Sequence, residues 1–373
     1  MAVNQNNNRD LIDATLAAAE PRRPVDARRI RLTRQGWKLA FGRVLRDFIP
    51  DGLLDLAALL SFFSVLSLAP ALLVIYSLIT LLLSSNSAEI IDKITGLLDR
   101  YVPEEQHELV LSLFNAVAGS ATGGRIGLVV GVVVALWTSS AYVRAFSRCA
   151  NTVYGRAEGR TILRQWAVML MTNIVLLAGA VFVLVSLIVN ETVVDRVLGP
   201  VAGPLGLGGV LSFLTETFIP VWNWAKWPVI LLVLAGLVAL IYHVAPNVKP
   251  SRFRWLSAGS VFAVSGIFLA GLALNLYFST FAVFNSYGAV GSVMALLVGM
   301  WIFNAVLVVG LKIDAEVSRS RQLQAGLPAE RHNLVRPRSI TAVTSLEESQ
   351  EKMADRAREF RESRETPEDD GQE

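Results

Sequence analysis

Apolar residues gather into six long runs, at about 53–83, 126–146, 166–189, 228–245, 256–278 and 289–311, separated by segments rich in charge, glycine or proline. A helix rises about 1.5 Å per residue, so about 20 apolar residues cross a hydrocarbon core, and each run reaches or nearly reaches that length. The fourth is the shortest and recruits Trp227 and Pro228 at its start. The pattern predicts an all-α, polytopic membrane protein with six transmembrane helices. It divides the chain into a basic segment 1–48, a helical membrane domain 49–317 and a charged tail 318–373.

The first run, Leu53 to Leu83, would extend about 46 Å as a straight helix, well beyond a core of about 30 Å. Pro70 lies in its middle and frees the carbonyl of Leu66, which predicts a kink. Ser61, Ser64 and Ser67 precede it at three-residue spacing, where hydroxyls satisfy freed backbone or a neighbouring helix. Small residues recur every fourth position at Gly119, Gly123, Gly127, Gly131, Ala135 and Ser139. Gly291, Ala295 and Gly299 repeat the device in the sixth run, as do Gly259 with Ala263 and Gly266 with Ala270 in the fifth. Such ridges let helix backbones approach closely and predict a compact bundle.

The connecting segments carry patterns of their own. Ile90, Ile91, Ile94, Leu97, Leu98 and Tyr101, then Leu109, Val110, Leu113, Phe114 and Val117 after Pro103, predict two short amphipathic helices on the outer surface. Glycines and prolines from Gly199 to Gly209 predict a break, followed by Phe213, Phe218, Trp222, Trp224 and Trp227 as an aromatic belt. From about Ser318 apolar residues become sparse. Leu346, Met353 and Phe360 sit seven apart and allow a short helix, while the last ten residues and the first 20 read as loose.

Composition agrees with a membrane protein: 53% apolar residues, 17% charged and a mean hydropathy of +0.49 lie outside the range of soluble globules. Charge then sets the orientation. Ten Lys and Arg precede the first run and eleven lie from Lys312 onward, whereas the first connection has only Lys93, Arg100 and Arg125 against six acids. The second connection holds Arg148, Arg156, Arg160 and Arg164, the third only Arg196 and Lys226, the fourth Lys249, Arg252 and Arg254, and the fifth has no charge. The alternation predicts cytoplasmic termini. It also accounts for a pI near 9.1 through topology signals and contacts with anionic phospholipids, without a nucleic-acid partner.

Candidate chemistry is sparse. His107, His243 and His332 fall on different sides of the predicted membrane, so they build no shared metal site in one subunit. Neither H-E-x-x-H nor G-x-S-x-G is present, and the lone Cys149, beside the inner interface, excludes an intramolecular disulfide. No cofactor is implied. Polar residues at membrane depth are Asn173, His243, Asn275 and Asn304, with Asp55 near the inner end of the first run. Together with Ser61, Ser64, Ser67 and Pro70 they are candidates to line a substrate pathway; structural packing is the alternative for each.

Several stretches then resemble the YihY/BrkB family of bacterial inner-membrane proteins. They are Ala57 to Pro70, Trp137 to Ser140 with Asn151, Thr152, Val153, Tyr154 and Gly155, then Pro246 with Asn247 and Val248, and Tyr287 with Gly288 through Ser292. The family's sixth-helix ending fits at Gly310, Ala315 and Glu316, but Lys312 stands where an acid is usual and Asp314 where Asn is. The resemblance implies an inner-membrane location. It also implies a non-enzymatic role in moving lipidic or amphiphilic envelope substrates, against an older ribonuclease label. A scaffold for envelope assembly is the alternative, a lipid-modifying enzyme a further one, and a homo-oligomer stays open.

Overall fold

The computed structural model describes residues 4–20, 30–82, 124–189, 194, 208–249, 257–281 and 288–365. The amphipathic helices expected within 88–118, the Gly/Pro-rich break at 199–207 and residues 366–373 lie outside the described residues. The helices are α1 (Asn4–Ala19), α2 (Arg34–Arg46), α3 (Leu53–Leu82), α4 (Gly124–Tyr154), α5 (Ile162–Ile188), α6 (Ile219–Val244), α7 (Ala258–Phe281), α8 (Gly288–Gln324) and α9 (Thr341–Glu365). Among the described residues there is no strand, only an isolated bridge between Val248 and Pro337.

The described part of each apolar run falls mainly within one helix, α3 to α8 in order. Ile162–Leu187, Phe213–Val244 and Leu296–Gln324 are long and apolar enough to cross a membrane, and Leu53–Ser67 and Ala258–Leu274 are shorter apolar helices. The chain is an integral membrane protein by these lengths and compositions. α3 continues through Pro70 without interruption.

The helices outrun the apolar pattern. α4 continues past Phe146 to Tyr154, and α8 past Leu311 to Gln324. In both extensions polar side chains are paired within the protein, so the backbone need not stop where hydropathy falls. The aromatic residues expected in a connection before the fourth run are helical instead. Gly208–Ser212 and a π-helical stretch Phe213–Phe218 lead directly into α6, whose first turn accepts Pro220, and Pro228 sits inside that helix rather than at its start.

The core joins α3, α4, α6, α7 and α8 through Leu60, Phe146, Ile241, Tyr242, Ala263 and Leu311. Phe146 and Tyr242 stack at 6.1 Å between ring centroids. α3 packs most extensively on α4 and α8, and α8 on α7. The tightest small-residue crossing is between α7 and α8, where a Cβ on Gly259 would overlap the Gly310 carbonyl oxygen. Gly299 is in ordinary contact with Leu274, whereas Gly123 is outside the described residues, as are the surroundings of Gly127, Gly131 and Gly291. Cys149, expected at the interface, is buried in the core.

One end of the bundle, here the basal end, carries α1, α2 and the tail. Thr33 caps α2 by accepting a hydrogen bond from the Gly36 backbone N–H at 3.2 Å, and Ala40 and Val44 pack on Ile313 and Val317 of α8. The first residues, expected to be loose, form α1 with Ile12, Thr15 and Ala18 buried. The tail expected from Ser318 begins instead within α8 and then folds back across the basal end before entering α9. On α9 Leu346, Met353 and Phe360 are exposed.

Candidate functional site

A polar seam crosses the apolar bundle at Asn304. Its side-chain amide donates to the Ser64 hydroxyl at 3.1 Å, to Ser61 at 3.4 Å and to the Met300 carbonyl at 2.8 Å. Its carbonyl oxygen accepts from the Tyr142 hydroxyl at 2.9 Å. The hub therefore ties α8 to α3 and α4, and it is buried. Ser61 and Ser64 also donate to the Ala57 and Leu60 carbonyls, at 2.7 and 2.9 Å, so each hydroxyl links its own helix to Asn304 by donating to one and accepting from the other. Asn173 forms a separate link, donating to Ser139 at 2.7 Å and to the Leu136 carbonyl at 3.4 Å across α4 and α5.

The other pathway candidates are not in this seam. Ser67 is buried, and its hydroxyl has no hydrogen-bond partner among the described residues. Asp55 is exposed in the first turn of α3, about 9 Å along the axis from Ser61. His243 is half-buried at the basal end of α6, where its carbonyl accepts from Arg338. The side chains of Pro70 and Asn275 lie outside the described residues.

Two of the stretches that carried the family resemblance, Asn151–Gly155 and Pro246–Val248, meet at the basal end. Gly155 ends α4 in a left-handed conformation (φ +62°), with its N–H on the Thr152 carbonyl and that of Arg156 on the Asn151 carbonyl. Asn151 accepts from the Asn247 backbone N–H at 2.6 Å and donates to Glu158 at 2.8 Å. Asn247 donates to the carbonyls of Ala157 (3.0 Å) and Ser339 (2.9 Å) and accepts from the Ser339 N–H. Pro246 is buried beside it and Gly288 begins α8, while Tyr287 lies outside the described residues. Tyr154 packs against the core.

Two arginines lock this knot. Arg160 pairs with Glu158 at 2.7 Å and donates to the carbonyls of Val244 and Ala245 at the end of α6. Arg156 donates to the carbonyls of Ala14 in α1 and of Asn333 and Val335 in the tail. The hydroxyl of Thr15 accepts from the Ala157 N–H. Sequence reading assigned both arginines to topology and lipid contact, yet they are only 2% and 4% exposed, because neighbouring carbonyls and Glu158 satisfy them inside the protein. The acid between two arginines in a glycine-bearing segment was the signal for such internal pairing.

A second charged cluster sits between α2 and α8. Lys312 contacts Asp51 at 2.7 Å, Glu316 at 2.8 Å and Asp47 at 3.9 Å, and Glu316 is flanked by Arg319 and Arg43. Lys312 is thus the cation its three acidic neighbours surround. The Arg46 side chain, followed by Lys312, holds the Asp47 carboxyl below its ordinary range. Asp314 caps α7 by accepting from the Gly259 N–H at 2.8 Å and from the Ser257 hydroxyl.

Among the described residues no group of three or more His, Cys, Asp or Glu side chains is placed to hold a metal ion. In a notch on the surface of α4, Arg144 lies over the Trp137 and Trp166 rings and Arg148 over that of Phe63 in α3. The arrangement offers satisfied polar chemistry within an apolar bundle and basic, aromatic chemistry at its flank.

Comparison with known proteins fits this arrangement. A family model described as virulence factor BrkB matches residues 44–334, which takes in α3 through α8 and the returning tail up to Leu334. A relative from Bacillus subtilis (strain 168), named "Putative ribonuclease-like protein YfkH", is 29% identical over 269 residues, covering 72% of this chain and 90% of its own length. No solved structure matches.

Proposed function

This chain belongs to the virulence factor BrkB family, and on that premise we propose that it is a six-span inner-membrane protein that moves a lipidic or amphiphilic envelope substrate between leaflets. The basal end lies in the cytoplasm, as does each terminus. The Lys and Arg concentrated before α3 and after α8 support that orientation.

The observation that carries the reading is the Asn304 hub together with the Arg144 notch. Asparagine and serine at membrane depth place exchangeable hydrogen-bonding groups between α3, α4 and α8, since each serine donates to a helical carbonyl and accepts from Asn304. A headgroup crossing the apolar core needs such exchangeable partners. No cofactor enters the scheme, and the role is not enzymatic. The ribonuclease-like name belongs to the relative; for this chain we propose no RNA cleavage, which incubation of purified protein with labelled RNA tests.

A second reading, an envelope scaffold, draws on α9, which presents Leu346, Met353 and Phe360 to the surroundings. Proteoliposomes separate the two. Acceleration of fluorescent phospholipid exchange between leaflets by the whole protein supports transport. No acceleration for any lipid, with biological function lost on deleting 341–373 alone, supports the scaffold.

A further inference from the structure

Among the described residues, two arginines on the flank of α4 have no carboxylate partner: Arg144 and Arg148, which lie one turn apart. Like charges at this spacing repel, and a cation facing lipid is costly, so an unneutralised pair is an expense that needs a use.

Both guanidinium groups are held in place by rings. The Arg144 Cζ lies 5.8 Å from the Trp137 ring centroid and 5.6 Å from that of Trp166, two rings themselves packed edge to face at 4.5 Å. Arg148 Cζ lies 5.4 Å over Phe63 of α3. Arg144 Nη1 donates to the Ser140 hydroxyl and the Trp137 carbonyl, which leaves Nε and Nη2 without partners among the described residues. Stacking of this kind fixes orientation without neutralising charge.

The surroundings choose the ligand. Trp137 and Trp166 are 43% and 38% exposed, and on α3, whose Phe63 lies under Arg148, Leu59, Phe62 and Leu66 are exposed too. Arg148 and Arg144 stand about 4.5 and 10.5 Å along the helix axis from Asn151, which belongs to the basal knot. That is the depth of headgroups, between a polar bundle end and an apolar belt. A soluble anion would gain nothing from the exposed rings and aliphatics. We infer that Arg144 and Arg148, framed by Trp137, Trp166 and Phe63, form a docking site for the phosphate of an anionic phospholipid headgroup, its acyl chains lying against α3 and α5. The two planar forks would bind the phosphate oxygens bidentately. The inference rests on the proposed function only in taking the ligand from the membrane, and it concerns binding, not movement.

The test uses the full chain in mixed detergent micelles, titrated with phosphatidylglycerol brominated in its acyl chains near the headgroup, with quenching of tryptophan fluorescence as the readout. Saturable quenching is expected. It should weaken at least tenfold in R144Q/R148Q, weaken by a smaller factor in R144K/R148K, which keeps the charge but loses the planar forks, and be absent with brominated diacylglycerol, which lacks phosphate. Inorganic phosphate at millimolar concentration should not compete. Equal quenching by diacylglycerol, or no weakening in a folded R144Q/R148Q, overturns the site; full competition by inorganic phosphate overturns the lipid assignment. Should R144Q/R148Q not fold, arginine modification of the wild-type chain by phenylglyoxal replaces it: phosphatidylglycerol should protect Arg144 and Arg148 at least fivefold relative to Arg358, and equal labelling overturns the proposal. Because every arm reads equilibrium binding, a protein that binds but does not translocate lipid leaves this inference standing and refutes only the transport reading.

Discussion

The alpha carbon of Gly159 faces the carbonyl oxygen of Ser339 so closely that a methyl group on the glycine would overlap it. The tail is therefore in backbone contact with the link between α4 and α5, fixed by the Ser339 hydroxyl and the Ala342 N–H, both donating to the Gly159 carbonyl. Gly159→Ala should force the tail off the basal end while leaving the bundle intact. Limited proteolysis is expected to cut the variant between 327 and 341 at least tenfold faster than the wild type, with unchanged helical circular dichroism.

Arg156 bridges α1, α4 and the tail through backbone carbonyls. Hydrogen bonds from a charged donor contribute about 1.5–3 kcal/mol each in net terms, and truncation would leave buried carbonyls unpaired. Arg156→Ala should lower stability by about 3 kcal/mol, read from thermal unfolding in detergent. Arg156→Lys should recover less than half of it, since an ammonium cannot reach the same acceptors with a planar fork.

In the seam, replacing Asn304 removes a hub rather than a single bond. Interhelical hydrogen bonds in membrane proteins average about 0.6 kcal/mol, so Asn304→Leu is expected to cost about 1–2 kcal/mol. Tyr142→Phe in the Asn304→Leu background should add almost nothing, because its partner is already gone. Strictly additive losses in the double-mutant cycle would show that the two side chains do not act together.

Lys312 is surrounded by Asp51, Glu316 and Asp47. Lys312→Met leaves these carboxylates without their central cation and should destabilise the protein by about 3 kcal/mol, with Lys312→Met/Glu316→Gln partly restoring it. The pH dependence has a definite sign. Arg46 holds Asp47 below the ordinary carboxylate range, so its contribution is present above that range and is lost as pH falls through the lower folded value. Asp47→Asn should flatten this part of the acid limb in unfolding curves recorded from pH 5 downward.

The apolar helices were legible in the sequence because a helix satisfies its own backbone groups, as an apolar environment requires, so apolar runs and helices coincide. Their ends were not. α4 reaches Tyr154 and α8 reaches Gln324 because residues such as Asn151 and Glu316 find partners inside the protein, which hydropathy does not register. Asn304 stood out as an amide in an apolar run, but its partner Tyr142 lies 162 positions away and only the packing of α4 on α8 identifies it. Arg156 and Arg160 were misread for a related reason: a charge count cannot distinguish a solvated arginine from one buried against carbonyls. The course of segment 329–340 was not legible, because it is held by Asn247, Gly159 and Arg156 from elsewhere in the chain rather than by an apolar face of its own.

The transport claim is tested most directly by dithionite quenching of a short-chain fluorescent phospholipid in proteoliposomes. In protein-free vesicles only the outer half of the label is quenched rapidly. The account predicts that wild-type protein drives quenching well beyond one half within minutes, and that Asn304→Leu slows this at least fivefold at equal reconstitution. Quenching that stops at one half with folded wild-type protein across zwitterionic and anionic lipids would contradict it.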